Sequence, residues 1–261
     1  VLLARHFHTV DGAEIALHNR PSDGPPVLVI HGISSNHRFW DLTPEHSLAE
    51  ALRDAKFDPW LVDLRGHGNA IHTADGTRQR YGWTIDDYGR YDVDAAITHI
   101  QAETGHPKIA IIGHSMGGMV ASIYTAIHGD DHVAALVTVG SPVVFPTGDF
   151  HSWIGKTISN LGTIPRSFGT PAVARFMAGW HDAIPVHGES ILFNASNMSD
   201  HMQRTMLRQI VSPTSRGEVK QLHQMLNKGR LVSADGHTDY TARLADVDVP
   251  IGIGEGAGTD D

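Results

Sequence analysis

The sequence predicts an α/β fold: a mostly parallel sheet with helices packed on both of its faces. Three observations carry the prediction. First, the short unbroken apolar run Val27–Ile30 reads as a strand buried on both sides, and Lys108–Ile112 and Val133–Val139 read as further strands. Second, segments with helical spacing lie between these runs, so strand and helix alternate, as parallel crossovers require. Third, 261 residues with 41% hydrophobic and 19% charged composition suffice for one large domain with a substantial core.

Taken in order, Arg5–Val10 and Ala13–His18 are alternating segments around Asp11-Gly12, a dipeptide suited to a tight hairpin. After Pro25-Pro26 comes the strand Val27–Ile30. Thr43 is expected to cap a helix with Pro44 at its first position and Leu48, Ala49 and Leu52 along its inner stripe. Phe57–Leu64 returns as a strand. Thr84 and Asp87 form a capping-box pair. Val93, Ala96, Ile97 and Ile100 continue that helix until Gly105 and Pro107 stop it. Ser115–His128 reads as helix, and Val133–Val139 as strand.

From about Phe145 to Ala245 the strand signal disappears. Two amphipathic helices stand out, one with Met202, Met206, Leu207 and Ile210, the other with Val219, Leu222 and Leu226 and ending at Gly229. A strand resumes at Val247–Ile253. The expected organisation is a core made of residues 1–145 and 246–261, interrupted by a helical cap over residues 146–245.

The formal charge of -9 argues against nucleic acid as a partner, and no apolar run reaches the 18 residues of a membrane span. With no cysteine, disulfides, thiolate metal sites and a thiol nucleophile are excluded. Val1-Leu2-Leu3-Ala4 is too short for a signal-peptide apolar region, and composition assigns neither compartment nor oligomeric state.

The chemistry concentrates in Gly113-His114-Ser115-Met116-Gly117-Gly118, which follows an apolar strand and opens a helix. This is the context of a nucleophile elbow. The turn is so sharp that a side chain two residues before or after the serine would collide with it, and glycine at 113 and 117 removes both collisions. Gly118 lets the helix approach the sheet. Ser115 then presents its hydroxyl at the positive end of the following helix, as a nucleophile.

With His31-Gly32 and Asp63-x-Arg65-Gly66-x-Gly68, the elbow resembles the α/β-hydrolase superfamily in its serine esterase and lipase branch. The resemblance spans about residues 26–145 and 232–261, and it looks most lipase-like from Asp86-Asp87-Tyr88 through Thr104-Gly105. It implies an ester hydrolase working through an acyl-enzyme on Ser115, acting on a small-molecule ester with a hydrophobic acyl group and needing no cofactor or metal. Acyltransferase or thioesterase chemistry on the same fold is the alternative, as is a binding protein that has lost the triad. Serine at the elbow argues against epoxide hydrolases and dehalogenases.

The resemblance also implies an oxyanion hole from the N–H groups of Ile33, which follows Gly32, and Met116, the residue after the nucleophile. His31 is expected to be structural, and Asp63 and Arg65 to brace loops. Phe39 and Trp40 read as core in preference to an acyl pocket. The family's glycine, two residues, aspartate pattern selects Asp261 as the triad acid, with Asp260 second and Asp149 third.

A general-base histidine should follow the acid, and none does. His237 precedes it and reads as a loop residue. The expectation is therefore a chain short of its last strand and helix, and inactive as it stands. His6-x-His8 places two rings on one strand face without an evident third metal ligand.

Overall fold

Leu28 and Ile30 point to one side of their strand and Val27 and Val29 to the other, and all four are buried. The side-chain period of a strand is two, so a run with no polar alternate needs apolar cover on both faces. In the computed structural model, which describes residues 3–145, 167–168 and 198–254, that cover is present. Strand β3 (Pro26–Ile30) sits in the middle of a seven-stranded sheet.

The sheet contains β1 (Leu3–His8), β2 (Glu14–Asn19), β3, β6 (Asp58–Asp63), β7 (Ile109–His114), β8 (Val133–Val139) and β11 (Ile251–Gly254), in the order β1-β2-β6-β3-β7-β8-β11. The β1–β2 hairpin and the β2–β6 pair are antiparallel, while β6, β3, β7, β8 and β11 run parallel. The predicted sheet is thus the observed one. Strand β11 pairs with β8 at one edge, and its Ile251 and Ile253 are 50% and 70% exposed.

Helix α1 (Leu48–Asp54) packs on β6 and covers the smaller cluster of Val27, Val29, Ala49 and Leu61. Its start corrects the sequence expectation. Thr43 ends a short strand, β4 (Asp41–Thr43), which turns through Pro44-Glu45 into β5 (His46–Ser47). Ser47 is the cap, its hydroxyl accepting the Glu50 N–H at 3.0 Å. Proline's fixed φ suits the first position of a helix and the second position of a turn equally, and the second serine-type cap downstream decided between them.

On the opposite face, α2 (Ile85–Asp87) begins with the predicted Thr84/Asp87 capping box. It passes through a π-helical turn at Tyr88–Asp92 into α3 (Val93–Thr104), which ends at left-handed Gly105. Helix α4 (Met116–His128) lies against β7 and β8, almost wholly buried.

Beyond β8, Ser167–Phe168 (β9) pairs with Thr214–Ser215 (β10). Helices α5 (Asp200–Gln209), α6 (Arg216–Lys228) and α7 (Tyr240–Leu244) follow the two amphipathic patterns and add one short helix. Met225, Leu226, Leu231, Val232 and Tyr240 join the same core cluster as the sheet, so this stretch is built into the main body through α6 and α7. Residues 146–166 and 169–197, most of the first part of the expected cap, lie outside the described residues.

Candidate active site

Ser115 joins β7 to α4 with φ 52 and ψ -120, a positive φ that a side chain bearing Cβ adopts at a cost. The surroundings hold it there. The Ser115 N–H donates to the Val139 carbonyl at 2.9 Å, and the Gly118 N–H donates to the Ser115 carbonyl at 3.1 Å. A Cβ on Gly113 would come within 2.5 Å of the Gly117 carbonyl, and one on Gly117 within 2.5 Å of the Ile30 and His31 carbonyls. These are backbone atoms that cannot swing aside. At Gly118 a Cβ would overlap the Ser141 side chain beyond the end of β8, so this glycine sets how closely α4 approaches the sheet.

The turn after β3 comes up against the elbow. A Cβ on Gly32 would stand 3.4 Å from the Ser115 Cβ and 3.1 Å from His114 Nδ1. The chain thus brings Ile33 next in line after the contact with Ser115, and no acceptor among the described residues takes its N–H. Met116 is the first residue of α4, so its N–H has no carbonyl one turn back. Met116 directly follows Ser115, and Gly32, which precedes Ile33, packs against Ser115 and His114.

His31 is fully buried beneath this turn. Its Nδ1 donates to the Gly32 carbonyl at 2.8 Å and its Nε2 accepts the Leu64 N–H at 3.3 Å, which fixes the tautomer. Burial pushes its pKa down to about 4, so it is a neutral strut and not a proton carrier at neutral pH. Asp63 accepts the N–H groups of His37 and Asn69 at 2.8 and 2.9 Å. Arg65 donates to Asp92 at 2.7 Å and to Asp11 at 2.6 Å. Both side chains hold loops together.

Phe39 stacks on the His114 ring with centroids 4.5 Å apart, and Trp40 meets the same ring edge-on. Both are half-buried; Trp40 packs against the Val27, Val29, Ala49 and Leu61 cluster, as expected, and both rings lie against His114, the residue before Ser115. His114 Nδ1 is buried without a hydrogen-bond partner, and burial lowers its pKa. Among the described residues, no histidine hydrogen-bonds the Ser115 hydroxyl. His237 is exposed in a turn, its N–H donating to Asp235. Asp261, Asp260 and Asp149 lie outside the described residues.

The sequence did not reveal how the Ile33 turn is secured. Ser34, at φ 55, hydrogen-bonds the Thr214 hydroxyl and accepts the Ser212 N–H at 2.8 Å. Asn36 Nδ2 donates to the carbonyls of Gln209 and Ile210 at 3.0 and 2.7 Å. The only sequence trace of this clamp is a cluster of small polar residues on each side.

Comparison with known proteins decides the family. The family model for the alpha/beta hydrolase fold matches residues 25–174. The chain belongs to that family. Sheet order, elbow and glycine contacts of this α/β hydrolase are the structural expression of the match. Its curated relatives include Triacylglycerol lipase 1 of Arabidopsis thaliana, 25% identical over 88% of this chain and 63% of that protein. Lipase 1 of Drosophila melanogaster is 35% identical over 43% of this chain and 27% of that protein. The chain thus spans between about a quarter and under two thirds of these relatives' lengths.

Among solved structures, an esterase from Exiguobacterium antarcticum superposes with a TM-score of 0.62 at 18% identity, over 96% of this chain and 80% of that one. The thioesterase domain from the curacin biosynthetic pathway gives 0.59 at 19% identity, over 99% and 84%. At such identities the likeness concerns the fold.

Proposed function

We propose that this α/β hydrolase cleaves carboxylic esters through an acyl-enzyme on Ser115. The observation that carries the reading is the backbone of Ser115, held at positive φ between three glycines that no larger residue could replace without collision. Such strain persists only where the surrounding structure imposes it, and it clusters at functional sites. Ser115 Oγ attacks the ester carbonyl, its proton passing to a base. The N–H groups of Ile33 and Met116 donate to the carbonyl oxygen as it becomes negative. The alkoxide leaves with that proton, and water, deprotonated by the same base, releases the acid.

The half-buried Phe39 and Trp40 favour an apolar acyl group, as do the relatives named as lipases. Methionine does not add to that case, because Met225 belongs to the core. Asp261 or Asp260 remains the proposed acid.

A second reading is a ligand-binding hydrolase homologue without turnover, favoured by the lack of an imidazole on the Ser115 hydroxyl among the described residues. An organophosphonate probe separates the two. Covalent labelling that disappears in Ser115→Ala supports the enzyme, whereas an unlabelled protein that still binds an ester analogue supports the second reading. Product analysis with and without an added alcohol separates hydrolysis from acyl transfer.

A further inference from the structure

Behind the turn that carries Ile33, three side chains from separate elements meet: His18 of β2, His37 of the 3-10 turn His37–Phe39, and Asp63 at the end of β6. His18 Nε2 lies 2.8 Å from Asp63 Oδ2, and His37 Nδ1 lies 2.9 Å from the same oxygen. The ligand-type atoms of all three residues are within 4.8 Å of one another. The side chains are 2%, 9% and 0% exposed, and the two rings stack with centroids 3.6 Å apart.

We infer that His18, His37 and Asp63 form a binding site for one borderline divalent cation of the Zn2+ type. Two imidazoles and a carboxylate are a zinc donor set, while magnesium and calcium call for oxygen alone. Around tetrahedral zinc, with bonds of ~2.0–2.1 Å, neighbouring ligand atoms stand about 3.3 Å apart. An ion must lie in the plane of each imidazole that ligates it, so binding requires the two rings to leave their stack and both nitrogens to move off Asp63 Oδ2.

The carboxylate is already oriented from behind by the His37 and Asn69 N–H groups, the kind of outer hydrogen bond that ligating carboxylates carry. Those two bonds alone would hold the loop. A stacked pair of imidazoles converging on one oxygen is more than the brace requires. Gly68 closes the far side, since a Cβ there would overlap the Asp63 carboxyl group.

On binding, the lone pairs of His18 Nε2 and His37 Nδ1 turn to the ion. The protons those atoms now donate to Asp63 pass to the other ring nitrogens, so no proton is lost and nothing is oxidised. Water completes the coordination. The ion would tie β2, the turn after Ile33 and the loop after β6 into one unit, independently of any chemistry at Ser115.

The test uses the full chain, stripped with a chelator and then equilibrated with nitrilotriacetate-buffered Zn2+, with bound metal counted after gel filtration. One equivalent per chain is expected, with a visible d–d band when Co2+ replaces Zn2+ and a higher Tm in the zinc-loaded form. The equivalent and the band should be lost in His18→Gln and in His37→Gln, each checked for folding by circular dichroism, and retained in a His6→Ala/His8→Ala variant. Absence of a tight equivalent in the unaltered chain overturns the site whatever the variants do. So does an equivalent that vanishes with the His6/His8 pair.

Discussion

Asn36 Nδ2 donates to the Ile210 carbonyl at 2.7 Å, joining the turn after Ile33 to the segment after α5 across 174 positions of sequence. The same amide reaches the Gln209 carbonyl, and its own carbonyl accepts the Arg38 N–H. Removing a buried donor leaves its acceptors unpaired at ~1–3 kcal/mol each. Asn36→Ala is expected to raise hydrogen exchange at residues 34–38 and 210–214 together, leaving β7 and α4 protected. Exchange unchanged in either segment would mean that the clamp does not hold them.

Gly117→Ala tests the elbow without touching a reactive atom. The added methyl meets two carbonyl oxygens at 2.5 Å, so the backbone must shift. A loss of ~1–3 kcal/mol in urea unfolding is expected, together with loss of probe labelling at Ser115. A variant as stable and as readily labelled as the parent would contradict the packing described.

Arg65→Met isolates the ion pair beneath the core. Arg65 donates to both Asp11 and Asp92, and Asp92 is fully buried. The substitution leaves that carboxylate buried beside an apolar chain, which costs about 3–5 kcal/mol. Denaturation midpoints measure it, and Asp92→Asn in the same background should recover part of the loss.

Glu218 supplies a pH dependence of known sign. It is fully buried, Oε1 accepting from Tyr88, Trp83 and the Ser215 N–H while Oε2 has no partner. Burial raises its pKa from 4.5 to about 7, against the lowering effect of those donors. The folded chain therefore keeps a proton that the unfolded chain releases between pH 4.5 and about 7. The stabilisation is complete below that window and lost across it, with a limiting slope of about 1.4 kcal/mol per pH unit. Glu218→Gln should flatten this fall between pH 5 and 8, as followed by Tm; an unchanged pH profile would show that Glu218 does not titrate there.

Strands such as Pro26–Ile30 were legible because burial on both faces leaves no polar alternate, and the capping pair Thr84/Asp87 because its chemistry is local. Ser115 was legible for the same reason, since its glycines act within two residues. The Thr43 start of α1 was misread because Thr-Pro serves a turn as well as a cap. Asn36 with Ile210, and His18 with His37 and Asp63, gave no signal. Their partners are brought together only by the sheet order and by the return of the chain after α5, which no local pattern encodes.

The outer side of β11, which carries no strand among the described residues, bears on how the protein behaves in a tube. Its backbone pairs with β8 alone among the described residues, and Ile251 and Ile253 stand out from it. An unpaired strand with apolar side chains is a template for another strand. Where that edge stays uncovered, concentrated stocks should associate edge to edge and Ile253→Lys should keep them monodisperse, as light scattering would show.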